Sequence, residues 1–77
     1  MSLLYPYGGA YMAISYNKLW KLLIDKKMKK TELRDKVGMS SSTLAKLSKD
    51  QEVAMPVLER ICKELECDVG DIMEFVE

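Results

Sequence analysis

Between Asn17 and Lys49 the chain carries nine lysines and one arginine against only Asp25, Glu32 and Asp35, a local excess of seven positive charges. From Asp50 to Glu77 nine acids face only Arg60 and Lys63, an excess of seven negative charges, so a net charge of zero conceals two opposite halves. The first half could face a polyanion and the second could not. The plainer reading of such runs is solvated helix faces. Other chemistry has a thin inventory. There is no histidine, and Cys62 and Cys67 lie five residues apart without a Cys-x-x-Cys, so a zinc site is short of ligands. Two free, reduced thiols are expected, with Cys62 as a small core residue. Acids such as Glu64 and Asp68 have no companion base, and no glycine-rich phosphate loop is present. The expectation is a protein that is not an enzyme and needs no cofactor.

The elements that must position these charges follow from apolar spacing. With 77 residues the chain holds one small domain. No apolar run approaches the roughly 20 residues that span a bilayer, and the N-terminus lacks the basic flank and apolar stretch of a secretory signal. A cytoplasmic setting without membrane contact is expected. Residues 1–14 read as an irregular arm, with a short strand over Ala13 to Tyr16 as an alternative at its end: MSLLYPYGGAY carries no charge and includes a proline and a Gly-Gly pair. Met12 offers an alternative start, which would leave the preceding residues as an added extension. The domain proper is expected over 15–77.

The spacing predicts a first helix over about 15–27, with Ser15 as its N-cap and Leu19, Leu22 and Leu23 as one apolar stripe. Tyr16, Trp20 and Ile24 form a second stripe at i, i+4, i+8, which the arm or another subunit would have to cover. A short helix over about 30–37 is anchored by Leu33 and Val37 and ended by Gly38, a residue free to take positive φ. Met39 fills the turn, Ser40 caps a third helix over about 41–49, and Leu44 and Leu47 anchor it. Pro56 opens a fourth helix containing Leu58, Ile61, Cys62 and Leu65, and Asp68 caps a last helical turn. The predicted fold is all-α, a compact five-helix bundle. Its core is built from Leu19, Leu22, Leu33, Val37, Leu44, Leu47, Leu58, Ile61 and Leu65.

The stretch from Leu33 to Leu47 places two short helices across a glycine turn, with apolar residues spaced to pack them together. On these residues the chain resembles the Cro/repressor (XRE-type) helix-turn-helix family, in its short single-domain form. The Leu19-Trp20-Lys21-Leu22-Leu23 helix before the motif and the ending Cys67-Asp68-Val69-Gly70-Asp71-Ile72-Met73-Glu74-Phe75 extend the likeness over about 14–76. The resemblance implies the lambda-repressor-like fold and sequence-specific binding of double-stranded DNA by a transcriptional regulator. The helix at 41–49 would enter the major groove.

The resemblance also implies roles for single residues. Ser41, Ser42, Ala45 and Lys46 would face base edges, and Lys29, Lys30, Ser40 and Thr43 would lie near phosphates. Their chemistry suits this. Lys29 and Lys30 open a helix whose amides favour an anion, Ser40 and Thr43 carry compact hydroxyls, and Lys46 can reach guanine O6 or N7. One departure stands out: many members have alanine where this chain has Arg34, whose stem could pack while its charge reaches solvent. A homodimer is expected, seamed by Tyr16, Trp20 and Ile24, unless the arm covers that face within one chain. The competing function is a helix-turn-helix protein-interaction module such as an antitoxin or dimerising adaptor. No small-molecule ligand is evident.

Overall fold

The computed structural model describes residues 13–77. Four helices follow one another: α1 (Asn17–Asp25), α2 (Lys30–Val37), α3 (Ser41–Ser48) and α4 (Met55–Leu65). A 3-10 turn over Val69–Asp71 follows α4. Strand β1 (Ala13–Ser15) precedes the helices and β2 (Glu74–Val76) ends the chain. The two strands pair antiparallel, with Ala13 opposite Val76, Ile14 opposite Phe75 and Ser15 opposite Glu74. The five-helix expectation is thereby corrected to four helices and a small sheet. The last helical turn expected after Asp68 is a 3-10 turn of three residues capped by Asp68, because β2 begins at Glu74 and leaves no room for a longer helix. Ala13 and Ile14, read as the end of the arm, belong to the sheet; residues 1–12 lie outside the described residues.

The start of α1 also moved. Tyr16, not Ser15, is its N-cap residue. Ser15 is buried in β1, yet its Oγ still accepts the Asn17 N–H at 3.3 Å. The Tyr16 N–H donates at 3.0 Å to a carboxylate oxygen of Asp50, which lies just beyond α3. A side chain far along the sequence thus meets one of the donors that a helix start leaves free.

All four helices close in the same way. The residue after each helix, or one further on, takes a left-handed conformation: Lys27 (φ 55°), Gly38 (74°), Asp50 (56°) and Glu66 (55°). The next N–H then reaches back five residues, Met28 to Leu23, Met39 to Arg34, Gln51 to Lys46 and Cys67 to Cys62, at 2.9–3.1 Å. This is the Schellman geometry, which satisfies carbonyls at the helix end and tends to carry an apolar residue just past it. Met39 obeys that tendency and is buried; Met28 and Cys67 are half-buried.

The core joins Tyr16, Leu19 and Leu23 to Leu33 and Val37 of α2, Leu47 of α3, Leu58, Ile61 and Leu65 of α4, and to Met39 and Ile72. Leu22 and Leu44, expected inside, are half-buried at its edge. Tyr16 and Ile72 take interior places instead. Each lies beside a strand, so pairing β1 with β2 folds both inward over the helices.

Candidate nucleic-acid interface

Gly38, Met39 and Ser40 join α2 to α3. At φ 74° the glycine adopts a backbone that a side chain disfavours, although nothing lies within 4 Å of where a Cβ would sit. The constraint is therefore conformational, not steric. Ser40 is extended, and its Oγ accepts the Thr43 N–H at 3.1 Å, a side-chain cap of α3. The same oxygen lies 2.9 Å from Ser42 Oγ and 3.0 Å from Thr43 Oγ1, so three hydroxyls gather at the start of the helix.

Helical spacing then divides α3 into two faces. Leu47 is wholly buried and Leu44 half-buried on the inner side. Ser42, Ala45 and Lys46 recur at i, i+3, i+4 on the opposite, exposed side, and Lys49 continues that row one turn later. Ser41 is exposed at the margin, and Thr43 is half-buried. The four residues expected to face bases are thus all exposed; Lys49 extends their row and escaped the sequence reading, although its i+7 spacing from Ser42 was there to be seen.

Two side chains of α2 reach the two ends of α3. Lys30 Nζ stands 4.0 Å above the Trp20 ring centroid and 3.5 Å from Ser48 Oγ, so one ammonium links α1, α2 and α3. Arg34 Nη1 donates to Ser41 Oγ at 3.3 Å, and its Nε donates to Asp35 Oδ1 at 3.1 Å. Arg34 is half-buried, as a packed stem requires, and its guanidinium meets the first residue of α3 in an exposed hydrogen bond. The signal was its size at a position where many members carry alanine. Lys29 is exposed at the N-cap of α2, where its own N–H donates to Glu32 Oε1 at 2.9 Å. Its ammonium has no acceptor to offer the helix, so its side chain is free to point elsewhere.

The expected stripe of Tyr16, Trp20 and Ile24 is not one face. Tyr16 precedes α1 and is 1% exposed, with its hydroxyl donating to the Gln51 carbonyl at 2.9 Å. Burial, then the charges of Asp50 and Glu52, push its phenol above the ordinary range. Trp20 is half-buried beneath Lys30, and Ile24 alone stands out at 73% exposure. The arm residues Leu3, Leu4, Tyr5, Tyr7 and Tyr11, the alternative cover, lie outside the described residues. A different apolar surface is present: an open groove of about 310 Å³ lined by Met55, Val69, Gly70, Met73, Glu74 and Phe75. Met55 is 66% and Phe75 60% exposed there.

Cys62 and Cys67 are free and half-buried. Burial, with the neighbouring Cys67 next in weight, pushes the Cys62 thiol up to about 11. The Cys67 thiol is also raised, chiefly by burial. Among the described residues no group of three or more acidic or sulfur side chains is placed to hold a metal ion, and no helix is long and apolar enough to cross a membrane.

Comparison with known proteins places this geometry. Residues 18–77 match the family model of the Cro/C1-type HTH DNA-binding domain. The chain is 41% identical over 56 residues to YozG of Bacillus subtilis (strain 168), an uncharacterized HTH-type transcriptional regulator, covering 70% of this chain and 67% of that protein. It superposes with a TM-score of 0.85 on the crystal structure of transcriptional regulator VanUg, form II. There the identity is 55%, and 99% of this chain and 97% of that one are covered.

Proposed function

The chain belongs to the Cro/C1-type helix-turn-helix DNA-binding family, and from that premise we propose that it is a transcriptional regulator that binds double-stranded DNA sequence-specifically by placing α3 in the major groove. One observation carries the reading: beyond a left-handed glycine turn, α3 buries Leu47 and turns a row of Ser42, Ala45, Lys46 and Lys49 outward. A helix docked in a groove about 12 Å wide reads base edges through such a row while its neighbour crosses the backbone.

In this reading Ser41, Ser42, Ala45 and Lys46 meet base edges. The short side chains allow close approach, and Lys46 supplies a donor for guanine. Lys29, Lys30, Ser40 and Thr43 meet phosphates. The Trp20 face holds the Lys30 ammonium in place, which lowers the conformational cost of a phosphate contact. The Ser40 cluster offers hydroxyl donors beside the start of α3. A homodimer doubles these contacts on half-sites about 34–36 Å apart. The apolar groove at Met55 and Phe75 offers more uncovered surface for self-association than Trp20 does.

That same groove favours one second reading, a protein-interaction module. Salt separates the two. A phosphate-driven binder loses affinity for random duplex steeply as salt rises. The experiment is a titration of random duplex at several salt concentrations, followed by selection of the preferred sequence. Absence of duplex binding at low salt overturns the DNA reading in favour of the protein partner.

A further inference from the structure

We propose that Arg34, a residue of α2, is a specificity-determining residue that reads a guanine beside the N-terminal end of α3. The inference rests on the DNA reading above and goes beyond it, since residues of α2 were given no part in reading bases. Three observations carry it. The guanidinium is bound to Ser41 Oγ, at 3.3 Å, and so lies at the end of α3 that docks deepest in a groove-bound helix-turn-helix. Its Nε is held by Asp35 at 3.1 Å, which fixes the plane of the fork. These two contacts leave N–H donors on Nη1 and Nη2, the pair that matches the O6 and N7 acceptors of guanine.

The carboxylate of Asp35 also decides between base and phosphate. It is 70% exposed and neutralises the guanidinium locally. A phosphate drawn to Arg34 would meet that negative charge, whereas a base edge is read by its pattern of donors and acceptors and needs no net charge. Ser41, Ser42 and Ala45 are short, so a long, oriented fork reaches a part of the groove that they do not.

The test uses the full chain and its Arg34→Lys and Asp35→Ala variants. A duplex is first selected with the wild-type chain, and each G·C pair in it is then replaced by A·T. Lysine keeps the charge and loses the fork. At one G·C pair, Arg34→Lys is expected to lose about 10-fold or more of the wild-type preference, with random-duplex affinity, salt slope and melting temperature unchanged. Asp35→Ala is expected to weaken the preference at the same pair while binding random duplex more tightly. If Arg34→Lys keeps the wild-type preference at every pair, or weakens all duplexes alike, Arg34 does not read a base. A wild-type chain that binds no duplex removes the DNA reading itself, a result distinct from the loss of this residue's role.

Discussion

The phenol of Tyr16 donates a hydrogen bond of 2.9 Å to the main-chain carbonyl of Gln51, thirty-five residues away. With the bond from the Tyr16 N–H to Asp50, it fastens the start of α1 to the loop that leaves α3. Tyr16→Phe keeps the ring in the core and removes only the hydroxyl bond, so it should cost about 1 kcal/mol in urea unfolding. Tyr16→Ala also opens a cavity and should cost about 3–5 kcal/mol. Neither should change the sedimentation of the folded chain, because Tyr16 is inside and presents no seam.

The four left-handed helix ends predict opposite outcomes from small substitutions. Gly38→Ala should destabilise by about 1–2 kcal/mol despite the open space at its Cβ position. Glu66→Gly relieves the same backbone penalty and withdraws a negative charge from a helix C-terminus. It should stabilise by about 1 kcal/mol, a rise of roughly 4–8 °C in melting temperature for a domain of this size. Thermal unfolding of both variants checks the pair; a Glu66→Gly that melts lower would mean the acid makes a contact worth more than the strain.

On the proposed DNA face, Lys29 and Lys46 should fail differently when replaced by alanine. Lys29→Ala should weaken binding to all duplexes alike and reduce the salt slope by about one unit. Lys46→Ala should change which sequence is preferred. Binding curves at three salt concentrations, on random and selected duplexes, distinguish them; unchanged affinity in both at low salt would mean the proposed face is wrong.

The Cys62 thiol should make stability fall in alkaline solution. Its folded value is about 11 against an ordinary 9.0, because burial disfavours the thiolate. Below pH 9 the thiol is neutral in both states and its contribution is fully present. Between about 9 and 11 the unfolded chain gives up the proton first, so unfolding is favoured and that contribution is lost. Unfolding curves of wild type and Cys62→Ala across that window should show a shallower decline in the variant.

Self-association should be visible in sedimentation at about 100 μM, well above the micromolar affinities that standard interfaces commonly reach. Phe75→Ser, on the open groove, should shift the chain toward monomer, while Ile24→Ser should not. A monomeric wild-type chain at that concentration would rule out the stable dimer.

The sequence by itself determined the helix-turn-helix and the outward row of α3. These depend on local rules: apolar residues at i, i+3, i+4 and i+7, a glycine where the backbone must turn left-handed, and a serine placed to accept a helix amide. Such signals are complete within one turn or two. Three of the four left-handed helix ends were hidden because Lys27, Asp50 and Glu66 accept the strained backbone without a glycine to announce it. What tertiary structure alone decided has its two partners far apart along the chain. The pairing of Ile14 with Phe75 drew β1 and β2 into a sheet and turned Tyr16 inward, removing it from the stripe it shared with Trp20 and Ile24. The contact of Arg34 with Ser41 likewise depends on how α2 crosses α3, which brings a guanidinium to the end of the neighbouring helix. No periodicity records these meetings, because they are fixed by the packing of whole elements.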